Sequence, residues 1–169
     1  MADINTALAA SKEAIEQLIA AGECCGPAWR TPRGPGKWSP SQIVEHVARS
    51  MEESANMAAG RRSKFPRLPA VVHPLLRGLL FKRVLRTSAF PKARTNKAMD
   101  PVSGPATAAE GRVRLQAAHD AFDAACRQLA SQGEPMRTTI FGVVPVVDYV
   151  RFMEIHTRHH GKQMAELGT

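Results

Sequence analysis

The sequence predicts an all-α protein, a four-helix bundle with a long basic connection between its second and third helices. Three observations carry this reading. Apolar residues make up 44% of the 169 residues but aromatics only 5%. The core must therefore be built mainly from Ala, Leu, Val, Ile and Met, a mixture that favours helices over a β-sandwich. Apolar positions recur at helical spacing in four separate stretches. The interval between the second and third of these is broken by Pro66, Pro69, Pro74, Pro91, Pro101 and Pro105, which keeps it irregular. The length suits one ordinary domain over residues 1–169.

Helix one is expected over about residues 3–21, where Ile4, Leu8, Ile15, Leu18 and Ile19 share a face. Gly22 and Gly26-Pro27 are expected to end it. The stretch TPRGPGKWSP reads as a loop. Ser39 then has the character of an N-cap, with Pro40 at the first helical position and Gln42 at the third. Helix two follows, with Ile43, Val44, Val47, Met51 and Ala55 inward, and stops near Gly60. Residues 60–105 form the irregular connection, in which PLLRGLLFKRVLR reads as a short basic amphipathic helix. Such a length between bundle helices is unusual unless it performs or covers something. Helix three runs from about Thr107 to Ser131, with Leu115, Ala118, Phe122, Ala125, Cys126 and Leu129 inward, and ends at Gly133 and Pro135. TTIFGVVPV is a loop or short extended piece. Helix four spans Val146 to Leu167.

The formal net charge is +8, and the excess is local. No acid lies between Glu53 and Asp100. That interval holds Arg61, Arg62, Lys64, Arg67, Arg77, Lys82, Arg83, Arg86, Lys92, Arg94 and Lys97. Of 23 bases in all, these 11 leave 12 against 15 acids elsewhere. Any anionic partner therefore belongs to this segment. Its bases could hold the acidic groups of a small ligand. With Leu75, Leu76, Leu79, Leu80 and Val84 interleaved, it could also dock on an anionic membrane surface or a partner helix. The more ordinary reading is a solvated cover or a dimer contact. Nucleic acid is disfavoured, because stacking aromatics are nearly absent there. No apolar run reaches the length of about 18 residues that a membrane span needs. The N-terminus has early acids and no apolar signal core. Cys24, Cys25 and Cys126 are odd in number and make a poor disulfide framework, which suits a reducing cytoplasm.

Helix four carries the sharpest chemical signal. At about 100° per residue, Arg151, Glu154, Arg158 and Lys162 fall on one stripe that must face water. Tyr149, Phe152, Met153, His156, His160, Gln163 and Leu167 gather opposite. His156 and His160 thus point inward one turn apart, a spacing that can present two imidazole nitrogens to one ion about 2 Å away. Two core histidines bonded to backbone or to each other would be the plainer alternative. His46, flanking the apolar face of helix two, is the candidate third ligand, with Glu45 pointing away into solvent. Three imidazoles would leave an open position on the ion. His159 sits at the edge of the inward face, where it can support the site or meet solvent. Gln163, one turn beyond His160, can orient a ligand. His119 lies near the edge of helix three's inward face and reads first as packing, with a ligand or acid/base role at the site as the alternative. His73 reads as surface or lid, and RTSAFPKARTNKAMDP is placed at the mouth of the site.

Two phrases carry a resemblance. GKWSPSQIVEHVARSMEES resembles the second-helix motif of DinB/YfiT-like proteins, W-(S/T)-x-x-(E/Q)-(I/V)-x-x-H-(L/V), filled here by Trp38, Ser39, Gln42, Ile43 and His46. HTRHHGKQM resembles their closing motif, H-x-x-H-H-x-x-Q, filled by His156, His159, His160 and Gln163. The resemblance implies a four-helix bundle holding a divalent metal ion, zinc or nickel foremost, on His46, His156 and His160. It implies a metal-dependent transferase or hydrolase acting on a small-molecule substrate, with Gln163 and His159 in catalytic roles. Thiol S-transfer with a low-molecular-weight thiol such as bacillithiol or mycothiol, thiol-dependent isomerisation and hydrolysis all occur in such proteins, and many are homodimers. The long basic segment departs from the simplest members. The alternative is a non-catalytic binding module that uses residues 60–105 for an anionic partner or membrane surface.

Overall fold

The computed structural model describes residues 3–32, 34–91, 95 and 97–165. The chain is mostly helical. Asp3 accepts a hydrogen bond from the Thr6 amide at 2.8 Å and opens α1 (Ile4–Glu23). The sequence suggests that Gly22 ends this helix, but α1 runs through it. The missing side chain there admits Trp29, since a Cβ would lie 3.0 Å from its ring. Trp29 reaches that place from a short 3-10 turn, Gly26–Arg30. The helix α2 (Pro40–Ala58) starts on the predicted capping box, with Ser39 and Gln42 each bonding the other's backbone amide.

The connection contains α3 (His73–Leu76), a π-helical turn Arg77–Phe81, and α4 (Lys82–Thr87). Then come α5 (Ala108–Ser131), capped by Thr107, and α6 (Val146–Ala165). Between these two, the sequence expects a loop or short extended piece. The chain forms an antiparallel hairpin there, β1 (Met136–Thr138) and β2 (Gly142–Val144), with Met136 opposite Val144. Leu167, Lys92 and Arg94, named above, lie outside the described residues. Among those described, no helix is long and apolar enough to cross a membrane.

The faces predicted to be inward are inward. Leu8, Ile15, Leu18, Ile43, Val47, Met51, Leu115 and Phe122 are all at most 2% exposed. Helix directions follow from which residues meet. Gln17 meets Arg158, and Gly22 packs near Met164, so α1 and α6 run the same way. Val44 lies beside Gly111, and Glu45 pairs with Arg114, at the starts of α2 and α5, so these two also run the same way. Ser54 meets Tyr149 while His46 meets His156, so α2 opposes α6.

This topology explains the long connection. Two helices that lie side by side in the same direction cannot be joined by a tight turn. The chain leaves the end of α2 and must return along its length, which for 19 residues is about 28 Å. The return path is fastened at both ends. The buried Glu53 carboxylate accepts from the Lys64 amide at 2.7 Å. At the far end, Trp29 Nε1 and Ser41 Oγ both donate to the Pro105 carbonyl, at 2.9 and 2.7 Å. Gln42 Nε2 donates to the Pro101 carbonyl at 3.0 Å, and Trp38 Nε1 to Asp100 at 3.2 Å. The strap 99–105 therefore lies tight across the start of α2. Gly104 sits so close that a Cβ would fall 2.1 Å from the Ser41 carbonyl oxygen. Arg114 joins α2 to α5 more conventionally, bridging Glu45 and Glu52. Glu45 is thus ion-paired and largely covered, where the sequence suggests a solvated side chain.

Gly104→Ala is expected to lower stability by about 1–3 kcal/mol, the usual cost of forcing atoms into a packed site. Gly78→Ala, where an added Cβ meets nothing, should be neutral or slightly stabilising. Chemical denaturation of both variants checks this, and equal midpoints would contradict the strap's tight seat.

Candidate metal centre

His46 lies in the second turn of α2, and its ring is 4% exposed. His156 and His160 lie one turn apart on α6, the first partly covered and the second 5% exposed. The three rings meet. His156 Nε2 is 3.2 Å from His46 Nε2 and 3.2 Å from His160 Nε2. These three residues form a group whose ligand atoms all lie within 4.8 Å of one another, a spacing that could hold a metal ion.

The hydrogen bonds behind the rings decide what the facing nitrogens offer. His46 Nδ1 lies 2.8 Å from the Met99 carbonyl, which can only accept, so Nδ1 carries the proton and Nε2 a lone pair. His160 Nδ1 lies 3.0 Å from Gln163 Oε1. In this orientation of the amide Oε1 accepts from His160 Nδ1, and at its other end Gln163 Nε2 donates to His159 Nε2 at 2.9 Å. His160 therefore also points a lone pair inward. Two lone pairs then face the third imidazole, and a single N–H on His156 cannot saturate both. His156 Nδ1 is buried and makes no hydrogen bond among the described residues. A buried cluster of acceptors facing one another is costly unless a cation lies among them. Two of the three edges suit that cation. Nitrogens set tetrahedrally about 2.0–2.1 Å from zinc are about 3.3 Å apart, close to the 3.2 Å observed from His156 to His46 and to His160, and all the ligand atoms lie within 4.8 Å of one another.

The walls are aromatic. The Trp38 ring lies 4.7 Å from His46 and 6.1 Å from His160, centroid to centroid. Phe90 lies 5.3 Å from His156 and 5.9 Å from His159. On the outer side of α6 a cavity of about 360 Å³ is lined by Phe90 and His159 together with Arg151, Glu154, Arg158 and Lys162. Arg158 is already paired with Glu154 and Glu13.

The structure thus brings together His46, His156 and His160, with Gln163 and His159 bonded behind them. It does not bring His119 to them. That ring is buried on α5, and its Nε2 has no partner among the described residues. His73, expected at the surface or on a lid, is partly covered. It bonds the Leu68 carbonyl at 3.0 Å and packs against Gly142. The segment expected at the mouth contributes Phe90 as a wall and Met99 as the bond behind His46. The sequence reading missed both of those roles. A backbone carbonyl leaves no residue signature, and Phe90 was hidden in a run of polar residues. Cys126 is no nucleophile, since burial pushes its thiol up to about 12.

Burial holds His46, His119 and His156 below the ordinary imidazole range, and for His156 the neighbouring imidazoles add to the effect. The unfolded chain takes up protons near pH 6.5 that these folded rings refuse. The stability of the metal-free protein should therefore be full above about pH 6.5 and fall progressively below it. Thermal melts of chelator-treated protein between pH 8 and 5, above the carboxylate range, measure this, and a flat profile would contradict it.

A family model described as the DinB superfamily matches residues 7–164. No curated protein and no solved structure matches the chain.

Proposed function

The chain belongs to the DinB superfamily, and on that premise we propose that it is a divalent-metal-dependent enzyme with a three-histidine site. The observation that carries this is the convergence of His46, His156 and His160, with His156 Nε2 3.2 Å from each of the other two Nε2 atoms and the outer nitrogens of His46 and His160 hydrogen-bonded behind them. His46, His156 and His160 are the proposed ligands, each through Nε2. Zinc or nickel is the proposed ion, because imidazole suits both. The four long helices serve as a bundle that sets two antiparallel helices, α2 and α6, face to face around it.

When bound, such an ion lowers the pKa of a thiol or water that reaches it and so supplies a nucleophile near neutral pH. The chain's own residues do the rest. Met99 and Gln163 hold the rings of His46 and His160 in the tautomers that direct Nε2 inward. His159 fixes the Gln163 amide, so these two act as positioning residues rather than as donors to the ion. Trp38 and Phe90 keep water from the flanks of the site. Among the described residues the group itself contains no carboxylate, and the Asp100 carboxylate near His46 is engaged by Trp38 Nε1. That favours thiol transfer, in which a thiolate sulfur attacks an electrophilic carbon and displaces its leaving group, over hydrolysis. The cations beside His159, Arg151 and Lys162, suit an acidic small molecule, whether the thiol or its acceptor.

Metal analysis of the purified protein should give one ion per chain, and His160→Ala should lose it. Full occupancy in that variant would overturn the site. Gln163→Leu should keep the ion but weaken binding by about 10- to 100-fold, the usual effect of removing a bond behind a ligand. An unchanged affinity would remove Gln163 from that role. Zinc at about 100 times its dissociation constant should raise the stability of the native protein by about 2.7 kcal/mol, and should leave that of His160→Ala unchanged.

A further inference from the structure

The metal site uses the far end of the connection, but not its middle. Six large apolar side chains are exposed among the described residues, and three of them, Val71, Leu75 and Leu79, lie here at intervals of four. They are 83%, 60% and 66% exposed. Val143, 45% exposed, is a fourth, and its carbonyl accepts from Arg77 Nη1 at 3.0 Å. Lys82, Arg83 and Arg86 are exposed in the next two turns, while Phe81 and Val84 between them are buried. The segment thus turns one apolar face inward, and outward it shows leucines followed by cations. A face that met only water would have no use for the leucines.

We propose that this outward face docks on an anionic lipid surface. Leucine and valine side chains can enter the boundary between headgroups and acyl chains, while the longer basic side chains reach the phosphates. No other occupant suits both halves of the face. Two copies meeting through it would bring two acid-free segments together, with like charges opposed. A nucleic acid would leave the leucines unmatched, and among the described residues of the segment no aromatic is more than partly exposed for a base to stack on. The face is rigid enough to dock as built, because Phe81 stacks on Phe152 of α6, with centroids 5.1 Å apart. The proposal does not depend on the metal site.

The test is co-sedimentation of the full chain with vesicles of phosphatidylcholine containing phosphatidylglycerol, against vesicles of phosphatidylcholine alone. Binding is expected only to the anionic vesicles, and should weaken as salt rises. Replacing Lys82, Arg83 and Arg86 together by Gln should lower the partition coefficient by about 100-fold, at roughly fivefold for each cation. Leu75→Ser with Leu79→Ser should also lower it. All five positions are exposed, and an unchanged circular dichroism spectrum shows that the fold is kept. No binding at low salt overturns the proposal, as does equal binding to neutral vesicles. Full binding by the double leucine variant reduces the face to non-specific charge attraction and overturns it too. A shift with duplex DNA, or a dimer abolished by the leucine substitutions, in either case without vesicle binding, reassigns the face.

Discussion

Everything around the site follows from one electrostatic constraint: three buried imidazoles packed together, two of them with lone pairs toward the third. Left to itself such a cluster would splay apart or fill with water. It is held because each ring is gripped from behind or from the side. His46 is held by a carbonyl from a distant part of the chain, His160 by an amide that a further histidine holds, and His156 by aromatic and helical packing alone. The fold spends stability to keep these rings together, as functional sites commonly do. A cation bound only by the folded state would offset that cost, because its binding energy becomes folding energy.

The second determinant is direction. The parallel neighbours α2 and α5 oblige the chain to make a long return, and the return delivers residues to the site that no local sequence could deliver. Met99 lies 53 positions from His46 in sequence, yet it reaches that ring because the strap 99–105 is sewn to the start of α2 by Trp29, Trp38, Ser41 and Gln42. The tryptophan of the second-helix motif therefore has two tasks. Its indole N–H fastens the strap through Asp100, and its ring lies against the histidine that the strap orients.

Much of this was legible in the sequence, and the illegible part has a physical reason. Helical periodicity identified which faces are buried, and the capping box at Ser39 placed the start of α2 to the residue. The same arithmetic turned His156 and His160 inward. Periodicity describes one helix at a time, however. It could not say that Glu45 would find Arg114, because that depends on α5 lying beside α2. Gly22 read as a terminator because glycine is a poor helix residue, but the tertiary need for a place to put Trp29 prevailed. The short hairpin at 136–144 lacked the alternating pattern that would have announced it. His46 became a persuasive ligand only in company, since a single histidine at the flank of an apolar face has no signature of its own.

The fastening of the crossover at both its ends bears on how such proteins diversify. Glu53 pins its beginning and the 99–105 strap pins its finish, so the chain in between is a closed excursion. Doubling a flexible loop costs only about 0.6 kcal/mol in closure entropy. Its outward residues can therefore be exchanged or recharged while Phe81, Val84 and Phe90 keep their inward packing and the histidines stay in register. A lineage can keep the three-histidine arrangement and rewrite the outward face of the excursion to change what the protein meets.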